Sequence, residues 1–224
     1  MTRENEPETM VPSVLTSLRA LTPQRPASFT EALRVAEQQA ARLLGRFDIR
    51  QWPVPETILL ELPRIQVEQR FDLPTSGCSF WESDRRTWVI QVNGNEPSTR
   101  QRFTLLHEYK HIVDHGRVEL LYGAGQEALV RAEHAADYFA GCALIPRGLL
   151  KRAWGERLQQ VAALAAAFDV SLQAINVRLA QSGLTDVAPR CALGREPASS
   201  RPVSSRRYQR PAHPDFPHLE VVAT

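Results

Sequence analysis

The sequence predicts an α+β fold in which one strand-forming region is set among helical ones. Three observations lead there. Residues 64–92 alternate apolar and polar side chains and hold a turn signal at Asp84-Arg85, so the sheet should be small and mostly antiparallel. Residues 31–44 and 126–144 repeat apolar side chains at the spacing of one helix face. Between them, His107-Glu108-Tyr109-Lys110-His111 falls in a further helical stretch, so a helix carries the most distinctive residues of the chain.

Taken in order, residues 1–27 hold four prolines and many polar groups and read as a flexible leader, with a short helix around 14–21. Ser28-Phe29-Thr30-Glu31 has the form of a capping box, and Leu33, Ala36, Ala40, Leu43 and Leu44 continue it as a helix that Gly45 would stop. Pro55 introduces a short apolar stretch to Leu62. Strands are expected at 64–71, 78–82 and 86–92, the last two as a hairpin, with Asn93-Gly94-Asn95 closing the third. Pro97-Ser98, with Gln101 as a second capping pattern, opens the helix of the His-Glu-x-x-His run, and Gly116 suits its C′ position. An alanine-rich helix over 126–144 ends before Pro146, and shorter helices follow at 147–154, 157–168 and 171–182. From 187 to 224 proline, arginine and serine dominate, the composition of a disordered tail. The domain proper is therefore placed at 28–186.

Composition narrows the function classes. The hydrophobic fraction of 43% suffices for a core. A net charge of +2, from 27 basic and 25 acidic residues, does not point to nucleic acid or an anionic membrane. Three scattered cysteines, Cys78, Cys142 and Cys191, form no disulfide framework and suit a reducing compartment. The polar, acidic first ten residues are no secretory signal. The most apolar run, 161–168, is far short of the roughly 20 residues a membrane span needs. A cytoplasmic location without membrane contact is the expectation.

On a helix, residues four apart share a face with Cβ atoms about 5–6 Å apart. His107 and His111 can thus converge on one zinc ion, with Glu108 beside it, free to take a proton from water. With 6 histidines and 17 glutamates in 224 residues, about 0.01 such runs arise by chance. Two histidines fill only half of a tetrahedral site. The next helix offers Glu133, with Asp137 four residues on; His134 and Glu127 are the other candidates. Glu133 would complete three protein ligands and leave a fourth position open. Asp137 could accept a hydrogen bond from the second ring nitrogen of a ligand histidine. His115 continues the four-residue series but lies about 12 Å along the axis from His107. It reads better as a cation at the helix end than as a ligand.

Arg102-Phe103-Thr104-Leu105-Leu106-His107-Glu108 with His111, then Glu133-His134-Ala135-Ala136-Asp137-Tyr138-Phe139-Ala140 and Leu144-Ile145-Pro146, resembles the ImmA/IrrE family of zinc metallopeptidases. Ile90-Gln91-Val92-Asn93 matches the strand before the active-site helix, and Phe168-Asp169-Val170-Ser171 through Gly183-Leu184 matches the closing helical segment. The likeness spans roughly 31–185 and is strongest over 86–146. It implies a small sheet packed on helices, a zincin-like active-site helix and a helical C-terminal segment. One Zn2+ per chain would be held by His107, His111 and Glu133, with Glu108 as general base. It also implies a protein partner, as in family members that inactivate helix-turn-helix repressors in stress, mobile-element or toxin–antitoxin regulation. Lys110 departs from the family, which usually has Gly there, and is expected to make the helix surface bulkier and charged.

For the developing oxyanion, Tyr138 and His115 are the candidate stabilisers, and the edge of strand 86–92 is the expected seat for an extended peptide. The alternative is a zinc-binding regulatory or DNA-associated protein without proteolysis, since 164–179 has the look of a helix-turn-helix. Its second helix offers Gln173, Asn176 and Arg178 but little other basic surface, which argues against direct DNA binding.

Overall fold

The computed structural model describes residues 13–184, so the expected tail at 187–224 lies outside the described residues. Along the chain run α1 (Val14–Arg19), α2 (Phe29–Arg46), α3 (Thr57–Leu60), β1 (Ile65–Arg70), β2 (Gly77–Glu82), β3 (Thr87–Asn93), α4 (Ser98–Asp114), α5 (Val118–Tyr122), α6 (Gly125–Leu144), α7 (Arg147–Gly155), α8 (Val161–Phe168) and α9 (Leu172–Ser182). The α+β reading holds: a small sheet packs against helices. The sheet has the order β1-β3-β2, with β3 central. The hairpin is antiparallel with Trp81 opposite Trp88, whereas β1 runs parallel to β3 with Val67 opposite Ile90. Strand 87–93 is therefore paired on both sides. Among the described residues the unpaired edge on the hairpin side belongs to β2, which corrects the expected peptide seat.

Most boundaries follow local chemistry. Ser28 Oγ accepts from the Glu31 amide at 3.2 Å, while the Glu31 carboxylate turns away to Arg25 instead of closing the box. At α4 the second capping pattern does not form. Gln101 instead donates to the Glu96 carbonyl at 2.7 Å, tying the strand exit to the helix. Gly116, at φ 74°, lies just past the His115 cap, in the left-handed region that glycine tolerates at a helix end. Gly45 lies inside α2, which runs one residue further. The short helix expected around 14–21 is α1, and it packs on the fold: Leu18 is buried, and Arg19 donates to the Ile112 and Val113 carbonyls of α4.

The main core gathers Leu105, Leu106, Tyr109, Ile112 and Val113 of α4 with Ile90 and Val92 of β3 and Phe139, Ala140 and Ala143 of α6. Arg102, 5% exposed, reaches out of α4 to bind the Val54 carbonyl, Glu56 and Asp169, and so clamps two loops to the helix. Lys110 is also buried, not on the surface as expected. Its Nζ donates to Asp114 Oδ1 at 2.5 Å, and Asp114 Oδ2 accepts from Tyr122 Oη at 2.5 Å. Burial lowers the Lys110 pKa and raises that of Tyr122, in each case against the charged form.

Asp114→Ala removes the shared acceptor and leaves Lys110 as an uncompensated buried cation. The expected loss of unfolding free energy is roughly 3–5 kcal/mol, read from urea denaturation as a lower midpoint at unchanged slope. A loss within a few tenths would show that Lys110 reaches water instead.

Candidate metal centre

Each residue of α4 is rotated about 100° from the one before, so residues four apart differ by only about 40°. His107 and His111 accordingly share one face, and Glu108 lies about 100° round the helix from His107. That geometry lets α4 present imidazoles to α6 and a carboxylate to β2. Glu133 is the residue α6 contributes. His107 Nε2 and His111 Nε2 are 3.1 Å apart, and the Glu133 carboxylate oxygens lie 3.5 Å from His107 Nε2 and 3.6 Å from His111 Nε2. Donors at about 2.0–2.1 Å from a tetrahedral ion are separated by about 3.3 Å, so this His-His-Glu set fits a divalent metal. Among the described residues it is the cluster of three that could hold one.

Asp137 lies one turn beyond Glu133 and meets the other side of His107, with Oδ1 2.8 Å from Nδ1. A ring that donates from Nδ1 leaves the Nε2 lone pair for a metal. Burial opposes charge on His107. Hydrogen bonds to Asp137 and Glu133, with the charges of Asp137 and Glu108, outweigh it and raise its pKa to about 9. His111 moves the other way, lowered first by burial and then by the neighbouring His107. Metal uptake must therefore displace a proton from His107 at neutral pH.

Glu108 stands beside the donors without being one of them. Its Oε2 accepts from Ser79 Oγ of β2 at 2.9 Å, a partner that no sequence pattern indicated. Gly77, two positions earlier on the same strand face, explains how β2 comes so close. A Cβ there would sit 2.5 Å from Thr104 Cγ2, 2.7 Å from the Gln91 carbonyl oxygen and 3.6 Å from Glu108 Cγ. Alternation in 77–82 hints at the face of Ser79, but its contact with α4 is tertiary. Cys78, on the opposite face, is held above the usual thiol range by burial and then by the Glu108 charge.

The remaining expected residues are placed elsewhere. Glu127 pairs with Arg131, and the His134 ring lies 6.4 Å from Phe29. Tyr138 Oη points to Glu37 at 3.4 Å, and Arg178 lies over its ring. His115 caps α4, with its ring 4.9 Å from that of Trp88. Burial, then the charge of Arg19, lowers its pKa. Among the described residues neither Tyr138 nor His115 forms a hydrogen bond or ring pair with His107, Glu108 or His111.

A helix-borne His-Glu-x-x-His with a carboxylate donor from a second helix defines a metallopeptidase-like domain. The family model of the IrrE N-terminal-like domain, Peptidase_M78, matches residues 68–180, and the chain belongs to that family. A solved Mycobacterium tuberculosis transcriptional regulator is similar in fold, with a TM-score of 0.56 at 18% identity. The match covers 80% of this chain and 54% of that one, so this chain spans about half the regulator's length. No curated protein matches the sequence.

Asp137→Asn keeps the side-chain shape but weakens the hold on His107. Zinc affinity, measured by competition with a chelating dye, should fall roughly 10–100-fold, and Glu133→Ala should fall further. Unchanged affinity in Glu133→Ala would mean another side chain completes the set. Gly77→Ala should destabilise the fold by about 1–3 kcal/mol, measured by thermal melting, because the strand must move off α4.

Proposed function

We propose that this protein is a zinc-dependent metallo-endopeptidase acting in the cytoplasm. It cleaves or inactivates a specific protein partner, such as a helix-turn-helix repressor in stress, mobile-element or toxin–antitoxin regulation. The observation that carries the reading is the division of labour around α4. Three donors converge within 4.8 Å of one another, while Glu108, next in sequence to His107, stays outside the set and keeps a carboxylate oxygen on Ser79. A carboxylate that merely closed a structural site would be a fourth donor. One held beside the site suits general base chemistry.

Zinc held there would supply a Lewis acid that polarises a peptide carbonyl and brings the pKa of water towards neutrality. Glu108 takes the proton from the attacking water and delivers it to the leaving amine. Ser79 orients that carboxylate from β2. The edge of β2, unpaired among the described residues, gives an extended peptide a row of backbone hydrogen bonds a short step from Glu108. Family membership supports the same class of chemistry.

A regulatory role without proteolysis is the second reading, favoured by the fold's likeness to a transcriptional regulator. Helices α8 and α9 meet at 105°, a geometry that helix-turn-helix pairs share. The one basic residue of α9, however, is Arg178, which is buried, so that helix has no exposed cation for phosphate. No helix among the described residues is long and apolar enough to cross a membrane.

Glu108→Gln separates the readings. Zinc-loaded wild type and variant would be incubated with a proteome-derived peptide library and the new termini read by mass spectrometry. Cleavage should drop roughly 10²–10⁴-fold in the variant while bound zinc, measured by elemental analysis, is unchanged. Equal cleavage by both would remove Glu108 from the chemistry. No cleavage by wild type would favour the regulatory reading.

A further inference from the structure

A cavity of about 470 Å³ opens beside the metal centre, between α2, the first turns of α4, α6 and α9. Its size suits a small organic ligand or a short stretch of peptide. Phe29, Leu33, Phe103, Tyr138, Val170 and Val177 make its wall mainly apolar. Asp137 lines it too, yet that carboxylate is engaged by His107.

The unusual wall residue is Arg178. It is 3% exposed, and its partners are all neutral: Nε donates to the Ile145 carbonyl at 3.3 Å, one terminal nitrogen donates to Gln181 Oε1 at 2.8 Å, and the guanidinium lies 5.7 Å from the centre of the Tyr138 ring. Among the described residues no carboxylate pairs with it. Glu37, on α2, accepts from the Tyr138 hydroxyl instead. The Ile145 carbonyl is the cap of α6, and a helix C-terminus offsets only about half a charge. A buried cation without a matching anion is costly, and such cations are ordinarily paired. The packing nonetheless accommodates it. At Gly141 of α6 a Cβ would come within 3.3 Å of Arg178 Cδ, so the missing side chain lets the arginine lie against the helix. Arg100 adds a second guanidinium to the wall, 5.9 Å over the Phe103 ring.

We propose that this cavity binds a carboxylate carried on an aromatic or aliphatic body, the carboxylate pairing with Arg178 and the body filling the apolar wall. The site stands whether or not the metal centre is hydrolytic. Two sources supply that chemistry, a free organic acid and the C-terminus of a peptide.

The test uses the full-length chain and isothermal titration with two matched pairs. One pair is 3-phenylpropionate and 3-phenylpropionamide. The other is N-acetyl-Ala-Ala-Phe as its free acid and as its C-terminal amide. The acid of at least one pair should bind roughly tenfold or more tightly than its amide, the scale of a charge-assisted hydrogen bond; which pair does so names the source. Arg178→Gln should bring that ratio close to one. Because that substitution also touches the packing, Val177→Trp serves as a second variant. Val177 is 47% exposed on α9, so the change fills the cavity from the surface and should abolish binding while the melting temperature holds. Equal affinity for acid and amide in both pairs, or binding that survives Val177→Trp, would overturn the proposal.

Discussion

The structure depends on a single packing constraint: α4 has to be buried on most of its circumference and still leave one strip for chemistry. Tyr109, Ile112 and Val113 point into the core, the sheet covers a second side, and α6 lies along a third. A helix fixed this way has no rotational freedom left. A turn of even one residue position, about 100°, would swing both imidazoles away from Glu133 of α6. The same packing therefore fixes the fold and aims His107, His111 and Glu108, and no separate device is needed to orient them.

Each flanking element then adds what α4 cannot. From α6 come Glu133 towards the two Nε2 atoms and Asp137 behind His107. From β2 come Ser79 for Glu108 and the glycine that permits the approach. The parallel pairing of β1 with β3 has a consequence here. With β1 occupying the far side of the central strand, β2 is left as the outer strand beside Glu108. A plain meander would have left β3, not β2, at the edge.

What the sequence made legible follows from the range of the interactions. The His107/His111 pair is local, fixed by helical period, and Glu133 and Asp137 repeat the same period on a second helix. Cap chemistry was readable at Ser28 and Gly116, where one side chain or one φ decides the outcome. Ser79 and Gly77 were not, because their importance lies in a strand meeting a helix far along the chain. Lys110 misled for the opposite reason. Lysine is rarely buried, and only the pairing of Asp114 with Tyr122, eight residues further on in α5, provides an interior acceptor. Gln101 sat at the right spacing for a capping box, but the carbonyls of the strand exit proved the nearer partners.

The buried cations divide along the same lines. Lys110 is matched by Asp114, and Arg102 by Glu56 and Asp169; in each case a carboxylate from the chain itself meets the charge, with Arg102 joining two loops to α4 and Asp114 reaching on to Tyr122 of α5. Such pairs contribute little net stability but are expensive to break, so they fix one arrangement against others. Arg178 is as deeply buried as Arg102 and engages three residues as Arg102 does, yet every partner is a neutral oxygen or a ring. If its task were to join α9 to α6, an uncharged donor such as glutamine could hold the Ile145 carbonyl without the desolvation cost of a guanidinium. The charge itself is thus the feature left over once packing is accounted for, and it borders a cavity rather than another part of the chain.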